Sequence, residues 1–229
     1  MKKLKLFYQK TKHAIPLLLY GVVYLTWFVW LEKTNVTDYR VIHMALDDHI
    51  PFCELFVIPY FLWFGYVAAV VAYLFFKNKQ DYYKTFAFLC TGMTLFLIIS
   101  TLWPNGHELR PSVMPRQNFL TDMVAALWKT DTATNLWPSI HVFNSMGAHF
   151  AVMHSREIAA SRWHAPIRIG SGILATSIIL STMFIKQHSV FDVVTGLLLG
   201  VVMYVLVYRR EWLTSGRPEK KEKRAPQVK

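Results

Sequence analysis

The chain has 229 residues, of which 54% are hydrophobic and only 17% charged, with a mean hydropathy of +0.28. Soluble domains are less apolar and carry more charge, so the composition excludes an ordinary soluble enzyme and implies a single all-α integral membrane domain. The formal net charge of +11 does not mark a nucleic-acid binder, because most of the excess lies in short segments flanking apolar runs rather than on a folded basic domain.

In chain order, windows apolar enough and of about the 17–25 residues a helix needs to cross a bilayer are 13–31, 55–76, 85–103, 169–185 and 189–208. A shorter and more polar window, 140–155, carries His141, Asn144, Ser145 and His149. Together they predict a six-transmembrane-helix bundle over residues 1–213, followed by a basic, disordered cytoplasmic tail at 214–229. The first span follows a basic stretch but is of spanning length and lacks a small-residue cleavage site, so it reads as a helix rather than a signal peptide. Trp27, Trp30, Trp63, Trp103 and Tyr208 lie toward span ends, as interfacial aromatic residues do. Residues 118–129 place Phe119, Leu120, Met123, Val124 and Leu127 on one helical face, which suits either an interfacial helix or a packed connector. Cys53 and Cys90 have no metal-ligand spacing and read as buried spectator thiols.

Charge sets the expected orientation. The N-terminus, 77–84, 154–168 and the C-terminal stretch 209–229 hold 19 Lys/Arg against 5 Asp/Glu; the alternate segments 32–54, 104–138 and 186–192 hold 6 against 9. One side is therefore +14 and the other −3, and the basic side is expected in the cytoplasm. Both termini then lie inside, consistent with an even number of spans.

Three polar motifs fall on the opposite side, at the ends of apolar runs: Arg110-Pro111, Pro138-Ser139-Ile140-His141 and His188-Ser189-Val190-Phe191-Asp192. Ionisable groups at such places are costly to keep near lipid and suggest function. His188 and Asp192 are four apart and share a helix face, so the carboxylate can hold one imidazole nitrogen and leave the other as a lone pair. His141 follows Ser139 at a predicted helix start, where free main-chain amides favour anions. Arg110, Lys186 and Arg116, with Ser139, are candidate phosphate-binding residues, a guanidinium being able to grip two phosphate oxygens. Taken singly, each has a plainer reading: a surface ion pair, a helix cap, or side chains snorkelling to headgroups.

The order and spacing of these residues resemble the type 2 phosphatidic acid phosphatase, or lipid phosphate phosphatase, superfamily over roughly residues 100–200. Its pattern is Lys-x6-Arg-Pro, then Pro-Ser-Gly-His, then Ser-Arg-x5-His-x3-Asp. Arg110-Pro111, Pro138-Ser139 with His141, and Ser181 with His188 and Asp192 match it. Trp103 stands where the first lysine is expected, Ile140 replaces the glycine and Thr182 the second arginine. Pro-Ser-aliphatic-His is similar to the branch that includes inositol phosphorylceramide synthases. The resemblance implies a metal-independent phosphatase that attacks a lipid phosphomonoester or diphosphate at the extracytoplasmic face of the cell membrane. In it His188 is the nucleophile, Asp192 its orienting partner and His141 the general acid and base. No cofactor, nucleic acid or obligate protein partner is implied; the partners are the lipid phosphate substrate and membrane lipids. A headgroup phosphotransferase and a non-catalytic anionic-lipid binder are the alternatives. His141, His188 and Asp192 also have the chemistry of a Zn²⁺ set, and His107 and His149 are further candidate side chains.

Overall fold

A computed structural model describes residues 12–34 and 38–209. The basic N-terminal stretch before Lys12 and the 214–229 tail lie outside the described residues. The described chain is mostly helical: α1 Ile15–Lys33, α2 Val57–Lys77, α3 Lys79–Leu102, α4 Phe119–Thr130, α5 Ile140–His154, α6 Arg156–Ala159, α7 His164–Phe184 and α8 Val190–Tyr204. A wider helical turn, Val205–Arg209, continues α8.

Among the described residues, five helical segments are long and apolar enough to cross a membrane: Lys12–Lys33, Glu54–Lys77, Lys79–Leu102, His164–Phe184 and Val190–Arg209. Their outward faces are apolar, with Leu18, Val22, Phe76, Ile173 and Leu198 all exposed. These segments mark the chain as membrane-embedded. Of the six expected spans, the window 140–155 is the one not among these five: it forms α5, only 15 residues and about 22 Å at 1.5 Å per residue. Its polarity has a physical reason. α5 packs against α2, α3, α7 and α8, so Asn144 and Ser145 are buried in protein rather than turned to lipid. α3 starts before the expected 85–103 window because Asn78 caps it, accepting from the amides of Gln80 and Asp81. The same residue ends α2, so the α2–α3 connection is one extended residue.

Small residues let neighbours approach α5. A Cβ on Gly196 of α8 would lie 3.1 Å from the Ser139 carbonyl and 3.2 Å from Val142. Gly92 of α3 lies under the ring of Phe143, and Gly147 of α5 under that of Phe88. The two rings stack with centroids 4.7 Å apart.

The loops at the 104–138 end of the bundle are tied to one another. Strand β1, Arg40–Val41, pairs in parallel with β2, Asn105–Gly106, and Gly106 bridges to Thr134 on its other side. Asn105 Oδ1 accepts from the amides of Leu136 and Trp137. α4 begins with a reciprocal cap between Asn118 and Thr121 and buries Val124 and Leu127 against Val57, Tyr60 and Ile185. Of the five apolar residues predicted for one face, Phe119, the first residue of α4, is exposed instead. Cys53 and Cys90 are free but only half-buried, unlike the buried thiols expected.

Candidate active site

The α7–α8 corner positions His188. After α7 ends, the Thr182 carbonyl accepts from the amides of both Gln187 (2.8 Å) and His188 (3.0 Å). Lys186 adopts φ 56° to make the reversal. Ser189 then caps α8, accepting from the Phe191 amide, while Asp192 Oδ2 accepts from the Ser189 amide. Such a reciprocal cap fixes a helix start. Asp192 thus has two roles: it closes the cap and accepts from His188 Nδ1 at 3.4 Å. Asp47, in the turn Ala45–His49, accepts from the Ser189 hydroxyl (2.6 Å) and the Val190 amide (2.7 Å).

His141 enters from the first turn of α5. Its Nδ1 lies 3.3 Å from His188 Nε2, so the chain Asp192–His188–His141 is continuous. All three side chains are buried. The His141 ring also packs on Tyr60 and Trp63, at centroid distances of 4.6 and 4.4 Å. Trp63, expected at the membrane interface, is therefore a wall of the site. Ser139 is fully buried and accepts from the Val142 amide, as a helix cap does.

His141 and His188 both line a cavity of about 490 Å³, whose remaining wall is largely aromatic and aliphatic: Tyr24, Phe28, Phe61, Trp63, Phe96 and Leu127. Its polar lining includes Glu32, Thr130, Asp131 and Asn135, and none of the described lysines or arginines lines it. Leu25, Phe61 and Phe64 are exposed apolar residues of the same wall, so the cavity is continuous with the surface that α1 and α2 turn outward.

The expected phosphate-binding cations lie elsewhere. Arg110 donates to the carbonyls of Trp128 (3.1 Å) and Asp131 (2.8 Å) and to Gln187 Oε1. It closes the C-terminal end of α4, where a cation opposes the helix dipole. Lys186 donates to the carbonyls of Asp47 (3.1 Å) and Ile50 (2.5 Å) and lines a separate acidic recess with Asp48 and Glu108. Arg116 pairs with Glu54 at 2.5 Å. Each is held by partners from distant parts of the chain, which spacing around the motifs does not reveal. Burial lowers the pKa of Arg110 and of Lys186.

Several residues around the site lie outside the three motifs. Gln187 donates to Asp131 Oδ2 (2.8 Å), as does the Tyr60 hydroxyl (2.9 Å). Burial raises the pKa of Asp131. Tyr60, Asp131 and Asp47 belong to no motif; Gln187 adjoins His188, and that adjacency was the one available signal. His107, a named candidate, is buried, and its Nδ1 accepts from the Leu109 amide at 3.2 Å. Burial pulls its pKa down to about 4. His149 stands apart, bonded to Ser171 at 3.0 Å. Among the described residues no cluster of three or more His, Cys, Asp or Glu side chains is arranged to hold a metal ion.

Comparison with protein-family models, curated proteins and solved structures finds no match. Geometry and chemistry therefore carry the functional reading.

Proposed function

We propose that this chain is a membrane-embedded lipid phosphate hydrolase working through a phosphohistidine, with the catalytic site at the extracytoplasmic end of a six-helix arrangement. The observation that carries the proposal is the buried Asp192–His188–His141 relay opening on an apolar cavity. Asp192 holds His188 Nδ1, which leaves Nε2 as the nucleophilic nitrogen. Nε2 attacks phosphorus; the ester P–O bond breaks and its electron pair leaves on the lipid oxygen, which takes a proton from His141. His141 then draws a proton from water as that water attacks the phosphohistidine, releasing phosphate and regenerating His188. General acid–base assistance of this kind is worth about 10²–10⁴ in rate.

At 3.3 Å the two imidazoles are in hydrogen-bonding contact, with no room for a phosphoryl group between them. In this mechanism substrate binding separates the rings, and His141 turns toward the leaving oxygen. The apolar wall between α1 and α2 suits entry of an acyl or prenyl chain from the bilayer.

Headgroup transfer to a second alcohol is the alternative that one observation favours. The lining carries Glu32 and Asp131 and none of the described lysines or arginines, which disfavours a dianionic phosphomonoester more than a singly charged phosphodiester.

The test is incubation of the detergent-purified chain with lipid phosphates, with and without chelator and an acceptor alcohol. Chelator-resistant release of phosphate, lost in His188→Ala and in His141→Ala, is expected. A new phosphodiester in place of free phosphate selects the transferase, and activity that survives both substitutions overturns the relay.

A further inference from the structure

Asn135 is a buried side chain without a partner. It is 4% exposed, lines the cavity shared by His141 and His188, and neither its Oδ1 nor its Nδ2 makes a hydrogen bond. A buried amide left unsatisfied costs its full desolvation, and native structures satisfy nearly all such groups. The backbone around it is, by contrast, well anchored. The Asn135 amide donates to the Asn105 carbonyl at 2.6 Å, and Asn105 Oδ1 holds the next two amides, those of Leu136 and Trp137. The residue also takes φ 57°, a conformation that disfavours most side chains but tolerates asparagine. A second polar group on the same wall, the Trp63 indole N–H, is likewise buried and unpartnered.

We infer that Asn135 is a substrate-binding residue: its carboxamide, whose two polar atoms are enclosed and unpartnered in the cavity wall, turns into the cavity when substrate binds, its N–H donating to a phosphoryl oxygen and its carbonyl accepting from a hydroxyl on phosphorus or on the headgroup. The identity of the ligand rests on the proposed phosphoryl chemistry; the existence of a bound polar group rests on the two unpartnered amide atoms. A neutral donor suits this wall. It supplies a hydrogen bond to phosphate beside the carboxyls of Glu32 and Asp131 without adding a buried charge that needs its own partner.

The test uses the full chain in detergent and two probes: the methylenephosphonate analogue of dioleoyl phosphatidic acid, which cannot be hydrolysed, and inorganic phosphate. Binding is read from the ligand-induced rise in thermal midpoint. Asn135→Gly keeps the left-handed backbone and Asn135→Asp keeps the shape while replacing the donor. Both variants are expected to fold, and to bind the phosphonate at least about tenfold more weakly than the unsubstituted chain, as loss of the hydrogen bond donated to a charged phosphoryl oxygen implies. Stabilisation by inorganic phosphate but not by the lipid phosphonate would overturn the lipid assignment. Equal phosphonate affinity in all three proteins, or no binding to the unsubstituted chain, would overturn the inference. Loss of the fold in both variants would overturn it too, because a side chain without partners cannot be what holds the structure.

Turnover in His188→Ala is measured alongside. If that variant still turns over lipid phosphate while Asn135→Gly loses phosphonate binding, Asn135 keeps its role and the phosphohistidine mechanism falls. If His188→Ala is inactive and Asn135→Gly binds normally, the mechanism stands without Asn135.

Discussion

At the scale of single residues, the site mixes side chains that have one role with side chains that have two. Asp192 caps α8 and orients His188 through the same oxygen, so replacing it disturbs fold and chemistry together. His107 is the cleaner probe of how burial acts here. Its folded pKa is held near 4, while an unfolded histidine titrates near 6.5. Between these values the unfolded chain binds more protons, so stability falls as the pH drops from about 6.5 toward 4 and then levels off. The loss is on the order of 3 kcal/mol. Asp131, whose pKa burial raises, works in the opposite direction: its extra stability is present at low pH and is lost as the pH rises through its folded value. Comparison with a variant lacking only His107 leaves that contribution in place. His107→Gln is therefore expected to flatten the pH dependence of the thermal midpoint between 4 and 6.5, and an unchanged slope would show that His107 is not the group responsible.

At the scale of elements, the distance between the two histidines is a matter of how closely α8 approaches the start of α5. Gly196 lets Ser139 and Val142 sit against α8, and the Ser139 amide reaches the Asp192 carbonyl at 3.4 Å. Overpacking such a contact typically costs about 1–3 kcal/mol. Gly196→Leu is expected to lower the thermal midpoint and to cut turnover by tenfold or more, since the rings separate when the helices do. Gly65→Ala, whose new Cβ meets nothing within 4 Å, serves as the control and is expected to change neither quantity. Equal behaviour of the two variants would remove the helix contact from the account of the site. The spans themselves were legible because unbroken apolar windows have few other uses. α5 was legible as a helix, through Ser139 and the residues after it, but not as the enclosed centre of the bundle. The same polar residues suit a helix facing water or one facing other helices.

At the scale of the whole molecule, α5 decides which segments share a side of the bilayer. Its length and polarity are those of a helix surrounded by protein, and the charge asymmetry of +14 against −3 across alternate segments favours a crossing. With Cys53 and Cys90 replaced by Ser, single cysteines at Val113 and at Trp163, both exposed, are expected to react with an impermeant maleimide from opposite sides of intact membranes, Val113 from outside. Labelling from the same side would make the arrangement five-spanning and overturn the proposed orientation of the site.

Apolar run lengths, caps and the i, i+4 spacing of His188 and Asp192 were enough to locate the helices and to pair those two side chains, because these depend on neighbours close along the chain; His141, 47 positions from His188, was nominated through the motif resemblance. The engagement of Arg110, Lys186 and Arg116 by Trp128, Asp47 and Glu54 was not readable, nor were the placement of Trp63 against His141 and the unpartnered amide of Asn135. Those contacts join residues far apart along the chain, and their partners follow from how the helices pack and how the loops at that end of the bundle are tied through β1 and β2.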